Sequence, residues 1–153
     1  MNNRARGFTL LELLVVVSIV ALATAGVSLS LRDSDATALD NESLRLTAML
    51  DSARALSRTS GVPVRWRSNV DGFEFLGVPS SARGNDSLAM PRTWLHPDTQ
   101  ARVILPPGAA ELVLGPEPLI AAQQVELVRG DRRVLLGTDG LAPFAVLPVP
   151  APP

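Results

Sequence analysis

The chain has no cysteine and no lysine, one histidine and few aromatic side chains. Without cysteine neither a disulfide framework nor a thiolate metal site can form, and the redox character of its compartment leaves no trace in the sequence. All 14 basic side chains are arginine, which reads as genome composition rather than mechanism. The net charge of −1 argues against a general nucleic-acid-binding surface. His96 stands in His96-Pro97-Asp98 with no serine in a strained elbow to serve it, so it reads as a loop residue. Neither a phosphate-cradling glycine loop nor metal-ligand spacing occurs. No metal or other cofactor is expected, and the chain is not expected to be an enzyme.

What is present begins with an apolar run. From Leu13 to Leu31 there is no charged residue, and just ahead of it stands one acid, Glu12. As a helix, Phe8 to Leu31 would extend about 36 Å, enough for a hydrocarbon core of about 30 Å. Arg4 and Arg6 precede it, while Arg32, Asp33 and Asp35 follow. The positive-inside bias places the N-terminus in the cytoplasm and the rest across the membrane. An acid at the centre of such a helix costs roughly 2.5–3.5 kcal/mol, less near an end, so Glu12 marks a functional position with a partner to be found. Two readings are open on these residues. One is a single-pass anchor. The other is a secretory signal peptide cut after Ala23-Thr24-Ala25, giving a soluble mature chain that begins at Gly26, although Glu12 has no use in such a segment.

The chain has 153 residues, and with the N-terminal helix set aside there is room for one domain of about 100. Asp33 to Ala38 is short and polar, a joint where the helix is expected to loosen. Leu39, Leu46, Met49, Leu50, Ala53 and Leu56 then follow helical spacing. Arg45, Asp51, Arg54 and Arg58 fall mainly off that stripe and are expected on a solvated face, with subunit contacts as the sharper possibility. Gly61 and Pro63 stop the helix. Beyond them the period becomes two: Val62, Val64 and Trp66 alternate with Pro63, Arg65 and Arg67. Asn69-Val70-Asp71-Gly72 turns the chain into Phe73–Leu76, a hairpin. Further strands are expected at Arg102–Leu105, Glu111–Leu114, Val125–Val128, Arg132–Leu136 and Phe144–Val149, with turns at Gly130-Asp131 and Asp139-Gly140. Pro79 to Leu95 reads as a long irregular connection and the best candidate for a partner-contacting loop. The division is a segment 1–7, an apolar helix 8–31, an amphipathic helix 32–60, an antiparallel β domain 61–147 and a proline-rich tail 148–153. The fold class is α+β, a long N-terminal helix followed by an antiparallel, sandwich-like β domain.

Arg6-Gly7-Phe8-Thr9-Leu10-Leu11-Glu12 and the apolar stretch behind it resemble the class III leader of type IV pilins and type II secretion pseudopilins. The resemblance implies cleavage by a prepilin peptidase between Gly7 and Phe8 and N-methylation of Phe8. It makes Arg4 and Arg6 the basic residues of the leader. It makes Glu12 an assembly carboxylate, facing the terminal amine of a neighbouring subunit and fixing register. Buried pairs of this kind lose about 3–5 kcal/mol when one partner is removed. Further along, Gly61-Val62-Pro63-Val64-Arg65-Trp66, Gly72-Phe73-Glu74-Phe75, Trp94-Leu95, Leu114–Ile120, Arg132-Arg133 and Thr138–Phe144 are similar to the minor pseudopilin H family of type II secretion. That family implies a place near the tip of a periplasmic pseudopilus. The partners implied are major and minor pseudopilins of the tip complex, the prepilin peptidase and the inner-membrane assembly platform. Minor pilins of type IV pili share the same domain.

Three other features are weaker. Asp33, Asp35, Asp40 and Glu42 lack the loop spacing of a cation site and are expected to complement a helix start. Arg129-Gly130-Asp131 reads as turn chemistry. Arg129, Arg132 and Arg133 together form a weak candidate contact for nucleic acid, without aromatic residues to stack bases, so a nucleic-acid partner is not expected.

Overall fold

The computed structural model describes residues 10–79 and 88–148, and within the helix the side chains of all but residues 25–35. Arg4, Arg6, Gly7, Phe8 and the tail from residue 149 lie outside the described residues, as do the side chains of Asp33 and Asp35. The chain forms two compact units, Met1–Ser34 and Asp35–Pro153.

Helix α1 spans Leu10–Ser60. The polar stretch expected as a joint is helical, and the acidic residues expected at a helix start lie in mid-helix. Nothing between Asp33 and Ala38 is a strong breaker, since neither glycine nor proline occurs there. The helix ends where glycine permits: Gly61 takes φ 68° and donates its N–H to the Ser57 carbonyl at 3.0 Å.

Eight strands follow: β1 Arg65–Ser68, β2 Gly72–Leu76, β3 Arg92–Thr93, β4 Gln100–Leu105, β5 Leu112–Val113, β6 Gln123–Arg129, β7 Arg132–Thr138 and β8 Ala145–Leu147. They form two four-stranded sheets in the orders β3-β2-β1-β5 and β4-β6-β7-β8, with every pairing antiparallel. The expected α+β architecture is therefore observed. β3 was not expected. It lies inside the stretch read as irregular, too short to show alternation, and brings Trp94 into the core.

The core joins the helix stripe Leu39, Leu46, Leu50 and Ala53 to Val64, Trp66, Phe73, Leu112 and Leu114 of the first sheet region. Val125, Leu127 and Leu136 of the second sheet and Phe144 complete it. Strand alternation explains the choice: in β6, Gln123, Val125 and Leu127 point inward and Gln124, Glu126 and Val128 outward. Each fully buried Leu or Phe contributes roughly 1.5–3 kcal/mol relative to exposure. Phe73 sits at the centre, 5.0 Å from Trp94, 6.0 Å from Phe75 and 6.2 Å from Trp66 between ring centroids.

Side chains close several sheet edges. At β5 the Gln123 amide accepts from Val113 N–H at 2.7 Å and donates to Val113 C=O at 2.8 Å, stitching one sheet to the other. At β3 the helix takes the outward groups: Arg45 donates to the Thr93 carbonyl at 3.1 Å, and Glu42 accepts from Leu95 N–H at 2.6 Å. Ser68 donates to the Ala101 carbonyl of edge strand β4 at 2.8 Å. An edge whose backbone groups are already engaged offers little to a foreign strand.

Candidate assembly surfaces

The first surface is the start of α1. Ten large apolar side chains between Leu10 and Leu22 are exposed, from 46% for Val15 to 85% for Leu10. They cover the helix on every side rather than along one stripe. Soluble monomers rarely expose contiguous apolar surface of this extent, so it is built to be covered by lipid or other chains. The two hydroxyls in the segment do not interrupt it. Ser18 donates to the Leu14 carbonyl at 2.8 Å and Thr24 to the Val20 carbonyl, so each is satisfied within its own helix. Glu12 stands in the first turn of this helix as described and is exposed. Among the described residues no helix is long and apolar enough to cross a membrane; the fully described part of this segment stops at Thr24, short of the about 20 residues a span takes.

The second is the helix segment within the Asp35–Pro153 unit; of the charges expected on a solvated face Arg58 is exposed, Arg45 and Asp51 are half-buried, and Arg54 is buried, which corrects the expectation there. Arg54 is 4% exposed and donates to the carbonyls of Ala142, at 2.8 Å, and Gly140. Burial, and then the Arg58 charge, lower its pKa, partly offset by Asp51 and Asp139. It nevertheless stays charged, because guanidinium titrates far above neutrality. Asp51 accepts from Phe144 N–H at 3.1 Å, and Arg58 donates to the Pro118 carbonyl. Glu42 is 1% exposed, pairs with Arg45 at 3.1 Å and caps Leu95. The Arg45 guanidinium also lies 5.5 Å from the centroid of the Phe73 ring. Ser57 donates to the Val62 carbonyl and accepts from Val64 N–H. The signal was present in the sequence: Glu42, Ser43, Arg54 and Ser57 fall on the same 3–4 spacing as Leu39, Leu46 and Leu50. Polar residues on a buried stripe need partners, and loop carbonyls and amides supply them.

The loop after β7 is the clamp's other half. Asp139 accepts from Leu141 N–H at 2.9 Å and Ala142 N–H at 2.8 Å, and these bonds hold its carboxyl below the usual range. Thr138 donates to the Ala142 carbonyl at 2.6 Å and accepts from Gly140 N–H at 2.9 Å. Gly140 has φ 93°, and any Cβ there would strike the Ile120 carbonyl.

The third surface is the outward face of β4-β6-β7. Arg102 reaches Glu126 at 2.7 Å and Arg133 reaches the same carboxylate at 3.6 Å. Arg129 donates to the Pro97 carbonyl at 3.1 Å and faces Arg132 across the hairpin. Of the three arginines grouped in the sequence, two are thus engaged by protein acceptors and Arg132 is exposed. The Gly130-Asp131 and Asp139-Gly140 turns stand where expected, and His96 is half-buried between β3 and β4. Among the described residues no group of histidine and carboxylate side chains is placed to hold a metal ion.

Comparison with known proteins falls on both ends of this description. A prokaryotic N-terminal methylation motif matches residues 2–28. The fold is similar to that of the type IV minor pilin FimU from Pseudomonas aeruginosa PAO1. The TM-score is 0.52 at 13% identity, over 78% of this chain and 92% of that one. No curated protein matches the chain significantly in sequence. The methylation motif thus covers the start of α1, and the fold, that helix followed by two antiparallel sheets, is type IV pilin-like.

Proposed function

We propose that the chain is a structural, non-enzymatic filament subunit: a minor pseudopilin of a type II secretion system, placed near the pseudopilus tip. The observation that carries this reading is the start of α1, an all-round apolar helix with one carboxylate, within the methylation motif. The precursor inserts in the inner membrane with its N-terminus cytoplasmic and its β domain periplasmic. A prepilin peptidase cuts between Gly7 and Phe8 and methylates Phe8, and loss of Arg4 and Arg6 takes the net charge from −1 to −3. The helix then leaves lipid for the filament core, where Glu12 is neutralised by the amine of a neighbouring subunit only when register is correct.

Intact mass of the protein from membranes tests the processing step. A chain beginning at N-methylated Phe8 is expected; one beginning at Gly26 would return the signal-peptide reading. Export of folded proteins in a deletion strain tests the system. Loss of export, restored by wild type and not by Glu12→Ala, is expected.

The fold match to FimU favours a second reading, a minor pilin of a type IV pilus. Normal export with lost twitching or DNA uptake in the same strain would select it.

A further inference from the structure

Each sheet has two outer strands, and three of the four are engaged by side chains: β3 by Arg45 and Glu42, β5 by Gln123 and β4 by Ser68. The fourth is β8. Residues facing each other in an antiparallel ladder alternate between hydrogen-bonded and non-bonded pairs. Pro148 has no N–H to extend the ladder, so the last pair, Leu135↔Leu147, is itself a bonded one. Leu136↔Val146 is then a non-bonded pair, and the N–H and C=O of Val146 point away from β7. Among the described residues no partner reaches them. The Val146 side chain lacks a neighbour as well. It shares a face with Leu136 and Phe144, which are 0% and 3% exposed, yet is itself 51% exposed. The cover over Phe144 ends before Val146, at the open edge.

The edge is also short of donors. On this side the backbone offers the carbonyls of Phe144, Val146 and Pro148 but only one N–H, that of Val146. The Phe144 N–H is taken by Asp51 at 3.1 Å and the Ala142 N–H by Asp139 at 2.8 Å, while Pro148 and Pro150 have none. β8 of a second copy would bring the same shortage, leaving two hydrogen bonds at most, one from each Val146 N–H. A segment of other sequence with its amides free can donate to all three carbonyls and accept from Val146. Resting on the filament-subunit reading above, we propose that β8 receives an extended segment of a neighbouring subunit of different sequence. It pairs antiparallel and adds a fifth strand to the four-stranded sheet. Its residues opposite Phe144 and Pro148 are not proline, and the one opposite Val146 is apolar, since it covers that side chain. The prolines confine pairing to this short window, which keeps the edge from recruiting strands without limit.

The full-length chain is expressed in the native host with a benzophenone amino acid in place of Ala145, or of Val113 on the engaged edge of β5, and irradiated. Ala145 and Val113 are both exposed. From position 145 an adduct with one different protein is expected, with the link in an extended segment by peptide mass spectrometry. Position 113 should not capture it. Val146→Pro removes the one donor without breaking a bond to β7. It should cut the adduct several-fold and leave the thermal transition of the detergent-solubilised chain in place. Val146→Asp keeps the N–H but loses the apolar contact at a half-exposed site, and should also lower the adduct. That second variant decides the matter if the proline chain fails to fold. No adduct from position 145, an adduct of two identical chains, or one indifferent to these substitutions would overturn the proposal. So would equal capture of the same protein from position 113. The mass of the mature chain separates the two levels. A chain beginning at methylated Phe8 without the adduct removes only this contact, whereas one beginning at Gly26 removes the subunit reading on which it rests.

Discussion

One helix carries two kinds of surface. Between Leu10 and Thr24 its large apolar side chains are exposed on all sides, and its hydroxyls bond their own backbone. Between Ala36 and Ser60 a single stripe is buried, and the polar residues on or beside it reach out to loop backbone. The same backbone geometry serves both, so the difference lies in what surrounds the axis. An apolar circumference asks for partners outside the chain; an apolar stripe with charged shoulders finds them within it.

Aspartate placed in each half breaks the comparison most sharply. Leu50→Asp puts a charge at a fully buried site of the core cluster, and several kcal/mol of unfavourable burial should leave the domain unfolded by circular dichroism. Val17→Asp should leave the thermal transition of detergent-solubilised chain unchanged while lowering membrane insertion. A cost of roughly 2.5–3.5 kcal/mol at the centre of a span is expected there. Equal effects on folding would erase the distinction.

Leu50→Ala should cost about 2–5 kcal/mol in denaturant unfolding, the usual range for a buried leucine left as a cavity. Arg54→Ala should cost roughly 1–3 kcal/mol for each loop carbonyl it leaves buried and unsatisfied. Arg54→Lys should recover part of this, because an ammonium lacks the planar fork that spans Gly140 and Ala142. A neutral Arg54→Ala would make the residue a surface charge after all.

The smallest expected effect concerns pH. The folded pKa of Asp139 lies below its unfolded value. Its contribution is therefore present above about pH 4 and is lost as pH falls through the folded pKa. Asp139→Asn should lower stability slightly at neutral pH and converge with wild type in acid, which flattens the acid limb of the profile. Stability at neutral pH identical to wild type would remove Asp139 from the clamp.

Much of the architecture was readable because it rests on period. The change from helical to alternating spacing at Gly61 separates α1 from the sheets, and the Gly130-Asp131 turn sets the β6–β7 register. Strands expected at 102–105, 125–128 and 132–136 extend one to two residues further at one or both ends, because pairing continues past the apolar core. β3 was not legible. Its two residues owe their conformation to β2 on one side and Arg45 on the other, neither of which leaves a local pattern. The clamp residues were misread for a related reason. An amphipathic reading assigns charge to water by default, and Arg54 becomes interpretable only once the Thr138–Phe144 loop lies beside it. The processing motif is the opposite case: its meaning is in the sequence, and Gly7 and Phe8 lie outside the described residues.

The clamp also has a mechanical meaning. Glu42, Arg45, Asp51, Arg54 and Arg58 grip the β domain at separate points along one continuous rod. A pull along the helix segment 36–60 would strain these grips together, as shear, instead of peeling them one after another. Drawn by this segment, the β domain would follow as cargo, and its weakest direction would lie across the segment.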